Sequence, residues 1–233
     1  GEHLPIDKEN LMQICDLAKR CLLDDDTVVR IQPHCHVIGD IRGNYDHIWQ
    51  LITTNETTDQ FLFLGNYVNF GKNSLEVMTL ALCMKLIAPN QVFLLRGCQE
   101  TPEMTKSNGF KDECMNVFDE EIYNLFLKVF ECLPLAAVAT DVQKTKSISF
   151  MSGGLSPDFK DIHQLEEVER PIKNVSSGFI HDILFADPAT KENKSSDKNG
   201  SCTFGSNAVH RFLKRNNFDQ LVRSRQYQRD GYC

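Results

Sequence analysis

Four short segments hold most of the residues in this chain that could do chemistry: GDIRGN at 39–44, GNYVNFG at 65–71, RGCQE at 96–100 and SGG at 152–154. Each follows an apolar run and sets a glycine beside carboxylate, amide, guanidinium, thiol or hydroxyl groups. Such segments read as the turns in which buried strands end. In open α/β sheets ligands gather at the carboxyl ends of strands, so these turns predict a site at one sheet edge. Cys98 in RGCQE is a candidate thiol nucleophile, but no base beside it in sequence would activate it. His34 and His36 form an i, i+2 pair expected on one strand face. With no further ligand nearby in sequence, that pair reads as packing rather than as a metal site.

The elements that must position these turns alternate in kind. DKENLMQICDLAKRCLLDD predicts an amphipathic helix, with Asp7 as its N-cap and Leu11, Ile14, Leu17, Ala18, Cys21 and Leu22 on one stripe. CHVIGD reads as a buried strand, NYDHIWQLI as a helix, and FLFLG as a strand covered on both faces. NSLEVMTLALCMKLI is helical and QVFLLRG is a further buried strand. This alternation predicts an α/β core. Two more helices follow, FKDECMNVF and EEIYNLFLKVFECL, the second closed by Pro134. LAAVAT and SISFMSGG read as a hairpin, 189–203 as a long surface loop, VHRFLKRNNF as a helix and DQLVRSR as a strand. No linker divides the chain, which predicts one domain over 1–233.

Composition narrows the class. The 233 residues are 41% hydrophobic and 24% charged, enough apolar mass for a sizeable core. Lys plus Arg number 25 against 32 Asp plus Glu, a net charge of −7, which argues against non-specific binding to nucleic acid or an anionic membrane. No apolar run approaches the ~20 residues of a membrane span, and GEHLPIDKEN is too polar for a signal peptide. Nine cysteines occur with no CxxC pair, mostly inside apolar segments. They read as buried thiols of a reducing compartment, the cytoplasm or nucleus. Asp24-Asp25-Asp26 and the basic group His210, Arg211, Lys214 and Arg215 read as solvated surface.

In order and spacing, the glycine turns resemble those of the phosphoprotein phosphatase family, the calcineurin-like metallophosphatases, and most closely its type-1 serine/threonine branch. The likeness runs on through GFKDEC, CLPLAAV, GGLSPD, DILFADP, TFGSNAV and LVRSRQYQRDGY and spans nearly the whole chain. It implies an α/β fold, a β-sandwich flanked by helices (α/β/β/α), with two divalent metal ions of the manganese, iron or zinc type held by loops at one edge. In that family the metals activate a hydroxide for attack on phosphorus and neutralise the phosphoryl oxygens. A histidine protonates the leaving oxygen and arginines clamp the phosphate. The likeness also implies that Arg96 in FLLRG is a structural ion-pair partner. The family continues past DGYC with further strands, so the resemblance implies a chain truncated at the C-terminus, with the last strands of the family core missing.

Position by position, the family's equipment is altered. Where the family has GDxHG this chain has GDIRGN: Asp40 remains, and Arg42 stands for a ligand histidine. GDxVDRG has become GNYVNFG, which puts Asn66 at the bridging aspartate, Asn69 at the aspartate that orients the acid and Phe70 at a clamping arginine. RGNHE has become RGCQE, with Cys98 at the amide ligand and Gln99 at the general acid. Ser152 and Arg225 replace the remaining two ligand histidines, and the second phosphate arginine falls at Lys198. Asp40 is the one surviving metal ligand of six.

These changes imply a pseudophosphatase: an inactive, serine/threonine-phosphatase-like protein that holds no metal cofactor. Its expected partners are proteins, either phosphatase regulatory subunits or phosphoproteins, and neither nucleic acid nor membrane. Arg42 and Arg225 are expected to face Asp40 and neutralise it. In a second reading Arg42, Arg225 and Lys198 grip a phosphoserine without hydrolysing it. The alternative function is an active metal-dependent phosphatase of phosphoserine and phosphothreonine with a rearranged metal site.

Overall fold

Helix α1 (Lys8–Asp24) begins where Asp7 accepts the Asn10 amide at 2.8 Å, and it buries Leu11, Cys15, Ala18 and Leu22 along one stripe. The computed structural model describes residues 6–54, 60–143, 145–189 and 202–231. Strands β1 (Val28–Ile31) and β2 (Cys35–Ile38) follow, then α2 (Tyr45–Thr54), β3 (Gln60–Phe63), α3 (Ser74–Ile87) and β4 (Val92–Leu94). Three helices come next: α4 (Pro102–Ser107), α5 (Phe110–Val117) and α6 (Glu120–Glu131). The rest comprises β5 (Ala136–Thr140), β6 (Ser147–Met151), α7 (His163–Glu166), α8 (Gly178–Phe185), β7 (Asp187–Pro188), β8 (Thr203–Phe204), α9 (Ser206–Asn216) and β9 (Gln220–Arg223).

The strands form two main sheets. One has the order β2-β3-β4, all parallel, and the other β1-β5-β6-β9, with β5 and β6 antiparallel and the outer pairs parallel. The period of two along each strand sets the layers. Leu62, Leu64, Phe93 and Leu95 meet Val29, Ile31, Ala137 and Phe150 between the sheets. Phe61, Phe63, Val92 and Leu94 face the other way, onto α1, α3, α5 and α6 through Leu11, Leu82, Phe110, Phe126 and Phe130. Val28, Ala136, Val138 and Met151 back onto Leu165, Ile183, Leu184 and Phe212 of α7, α8 and α9. This is the expected four-layer α/β/β/α sandwich.

Several local expectations need correction. The CHVIGD strand is a half-buried edge rather than a buried strand: among the described residues β2 pairs only with β3, and Val37 is exposed. His34 lies outside β2, so the two histidines share no strand face, and His36 stacks on Phe61 across the sheet at 5.1 Å. The buried Arg96 donates to the carbonyls of Glu100 and Ile172 rather than to a carboxylate. Thr203 of the expected loop pairs in β8, and 190–201 lie outside the described residues. No helix among the described residues is long and apolar enough to cross a membrane.

Candidate functional site

Parallel strands end on the same side, so β2, β3 and β4 deliver the turns at 39–44, 64–71 and 95–100 to one edge of their sheet. β6 and β9 are parallel too and bring Ser152 and Ser224-Arg225 alongside, where the Ser224 amide donates to the Ser152 carbonyl at 3.2 Å. The β3 and β4 turns interlock because both carry glycine. A Cβ on Gly65 would stand 2.4 Å from the Gly97 nitrogen, and one on Gly97 would stand 2.3 Å from Asn66 Oδ1. Beneath them the fully buried Glu100 accepts the amides of Asn66, Tyr67, Val68 and Gly97 at 2.8–3.3 Å. Burial raises the Glu100 pKa to about 7 against the downward pull of these four amides.

Asp40 sits at the centre of the edge and is saturated by protein donors. Its Oδ2 accepts Arg42 Nε at 2.8 Å and lies 2.6 Å from Arg42 Nη2. Its Oδ1 accepts Asn66 Nδ2 at 2.8 Å and the Arg225 backbone amide at 3.1 Å. Asn66 then turns its own Oδ1 to the Gln99 amide at 3.1 Å and the Cys98 thiol at 3.4 Å, with Ser152 Oγ 3.5 Å from its Nδ2. Gln99 Oε1 accepts from Asn69 Nδ2 at 2.9 Å and from Asn108 Nδ2 at 3.1 Å, while Asn69 Oδ1 takes the Phe110 amide. Burial pushes the Cys98 thiol up to about 11, with the Arg225 charge pulling it back, so it stays protonated at neutral pH. Among the described residues the geometry thus supplies no base for this thiol either, in line with the sequence.

Arg225 points away from Asp40. Its Nε and Nη2 donate to the two carboxylate oxygens of Asp187 at 3.2 and 3.0 Å, and Arg223 Nη2 joins them at 2.6 Å. The expectation that both guanidiniums face Asp40 is thus half corrected: Arg42 pairs with it by side chain, Arg225 only through its backbone. Burial alone would raise the Asp187 pKa, but the Arg225 hydrogen bond and the two guanidinium charges outweigh it and hold it below the ordinary value. The Arg225 side chain is 12% exposed and that of Arg42 39%. Arg42 also lies over the exposed ring of Phe70 at 5.3 Å.

The backbone here is strained. Arg42, Asn66, Asn69, Phe70 and Arg225 all have φ between 48° and 78°, in the left-handed region that costs a residue with a Cβ ~1–2 kcal/mol. Such residues persist where the surroundings over-determine them, as at a ligand site. The edge thus gathers Asp40, Arg42, Asn66, Asn69, Phe70, Cys98, Gln99, Ser152 and Arg225, while Lys198 lies outside the described residues. Sequence reasoning missed Glu100 and Asp187. Asp187 lies in the DILFADP segment, but its partners are 36 and 38 residues away, a distance no local pattern spans.

A two-sheet sandwich between helical layers, with strand-end turns converging around one carboxylate at its edge, is a metallophosphatase-type fold. Residues 34–224 match the calcineurin-like phosphoesterase family, and the chain belongs to it. A protein serine/threonine phosphatase from Saccharomyces cerevisiae, described as similar to human phosphatase PP5, matches with a TM-score of 0.86 at 27% identity. That match covers 96% of this chain and 72% of the yeast chain. The cold-active protein-tyrosine phosphatase of a psychrophilic Shewanella species matches at TM-score 0.54 and 13% identity, over 85% of this chain and 69% of its own. The second likeness is one of fold alone.

Proposed function

We propose that this chain is a serine/threonine-phosphatase-like protein that has kept the phosphoesterase fold, has lost hydrolysis and acts by binding other proteins. One observation carries the reading: both oxygens of Asp40 are held by Arg42, Asn66 and the Arg225 amide. Hydrolysis in this family needs two divalent cations, which activate a hydroxide and neutralise the phosphoryl oxygens. The residues at the ligand positions do not suit them. Asn66 and Ser152 are neutral, Cys98 is a buried thiol, and Arg42 and Arg225 carry permanent positive charge. Among the described residues no three His, Cys, Asp or Glu side chains converge on a point. Gln99 has no proton to give a leaving group, and its amide oxygen is engaged by Asn69 and Asn108.

The same contacts weigh against a phosphate grip. Arg225 engages Asp187 through Nε and Nη2, and the Arg42 charge is already paired with Asp40, beside which a phosphate would meet a second negative charge. Internal neutralisation of the pocket is therefore the stronger reading. Partners on this proposal are phosphatase regulatory subunits or phosphoproteins, met in the cytoplasm or nucleus. The free thiols at Cys15, Cys98 and Cys114 support such a reducing setting.

The test is phosphate release from a phosphoserine peptide with manganese supplied. The expected result is release no faster than in buffer. Turnover that disappears in Asp40→Ala would overturn the proposal and establish an active metal-dependent phosphatase with a rearranged site. A second arm compares binding of the phosphopeptide and its unphosphorylated twin, where equal affinities are expected.

A further inference from the structure

A second surface carries chemistry that the strand-end site does not use. The turn after β6, at Leu155–Lys160, and helix α9 enclose a cleft of about 310 Å³, lined by Leu155, Pro157, Phe159, Ala208 and Phe212. Its floor is firm: the Phe159 and Phe212 rings lie 5.3 Å apart, and Phe179 and Phe218 buttress them. Lys160, Arg211 and Arg215 border this apolar floor, all three are exposed, and no carboxylate lines the cleft. Three carboxylates stand close by: Asp161 pairs with Arg215 at 3.5 Å, Asp182 accepts the Ser156 hydroxyl at 2.6 Å, and the exposed Asp158 lies in the same turn. Lys160 and Arg211 have no ion pair among the described residues.

Solvated charge at a helix end is the ordinary explanation for cations such as Lys214 and Arg215, which sit in the last turn of α9 and complement its dipole. It does not cover Arg211, a turn earlier, or Lys160, which is on another element. The three converge on one opening in a chain whose net charge is −7. At physiological salt, charges beyond ~8 Å are largely screened, so this local cluster governs what approaches the cleft.

We propose that this cleft docks a segment of a partner protein that carries one leucine- or phenylalanine-sized side chain flanked by aspartate or glutamate. The apolar side chain fills the space over Phe159 and Phe212, and the flanking carboxylates meet Lys160, Arg211 and Arg215. The free volume is at the small end of ligand pockets, ~300–1,000 Å³, which suits one anchoring side chain rather than a cofactor. None of these residues belongs to the network around Asp40. The inference rests on the reading that the protein works by binding, but its test is independent of the test of lost hydrolysis.

That test is fluorescence anisotropy with a labelled peptide carrying one phenylalanine between glutamates. Twin peptides replace the glutamates by glutamine or the phenylalanine by alanine. The acidic aromatic peptide is expected to bind, each twin about tenfold or more weaker, with affinity falling as salt rises. The surface variant Lys160→Glu/Arg211→Glu, checked for folding by circular dichroism, is expected to lose binding to a similar degree, and the control Lys106→Glu, an exposed cation outside both sites, to keep it. Equal binding of the glutamine twin, retained binding by the double variant, equal loss in Lys106→Glu or no binding at all would each overturn the proposal. So would an oligonucleotide that binds as tightly as the peptide. Phosphate release on the same preparation reads the lost hydrolysis separately, so failure of one does not imply failure of the other.

Discussion

Asp187→Ala removes the only carboxylate among the described residues that contacts the largely buried guanidiniums of Arg223 and Arg225. Asp187 accepts three charge-assisted hydrogen bonds, from Arg223 at 2.6 Å and from Arg225 at 3.0 and 3.2 Å. Stripping one partner from a fully buried ion pair costs ~3–5 kcal/mol, because the remaining charge is left uncompensated. The Asp187 side chain is 26% exposed, so solvent screens part of this and a cost of about 2–3 kcal/mol is expected. For a chain of this size that lowers the melting temperature by roughly 5–10 °C. Urea titration at pH 7, followed by far-ultraviolet circular dichroism, reads the same difference. Adding Arg225→Met to Asp187→Ala removes an orphaned cation and is expected to recover part of the loss.

The pH dependence carries its own sign. The folded pKa of Asp187 lies below the ordinary value, so the unfolded chain takes up the proton first as pH falls. The stabilisation is complete above the unfolded value of ~3.9 and disappears as pH drops through the lower folded value. The gap between wild type and Asp187→Ala is therefore full at pH 5–7 and closes in acid below about pH 4. Equal stability at pH 7, or a gap that persists unchanged into strong acid, would refute the charge argument.

Three further outcomes follow from the geometry. At pH 8, above the Glu100 pKa of about 7, Glu100→Gln places amide hydrogens against backbone amides that point at a carboxylate, and about 1–3 kcal/mol of stability is expected to go. Hydrogen exchange at the 66–68 amides should accelerate in parallel, and unchanged protection there would count against the cradle. Gly97→Ala puts a Cβ 2.3 Å from Asn66 Oδ1 and 2.4 Å from its nitrogen, so thermal melts should show severe destabilisation, where a wild-type melt would contradict the interlock. Phe70→Gly relieves a left-handed conformation at φ 63° and gives up the contact with Arg42, a net gain of about 0.5–1 kcal/mol by chemical denaturation. A loss of stability there would mean that the Phe70 ring holds the turn.

Much of this fold was legible because apolar periodicity and glycine placement are local signals. FLFLG and QVFLLRG read as buried strands, and LAAVAT with SISFM pairs as the expected antiparallel hairpin. β1 escaped notice because four residues, VVRI, give too short a run between α1 and the next segment. CHVIGD was overread, since an edge strand carries the same residues as a covered one and only its neighbours reveal the difference. α8 lies in a segment with no strong cap, and its N-cap Ser177 makes no side-chain bond. At the site, the residue types gave the charge balance, but partner choice is tertiary. Arg42 and Arg225 look alike in sequence, and only the placement of Asp187 after α8 decides that they go to different carboxylates.

Elemental analysis of the purified chain, after incubation with manganese and removal of free ion by gel filtration, bears most directly on the proposal that this site holds no metal. With Asp40 saturated by Arg42, Asn66 and the Arg225 amide, the protein is expected to retain well under one equivalent of transition metal. Retention of about two equivalents per chain, the complement of a two-metal phosphoesterase, would contradict it and require a metal site built from other residues.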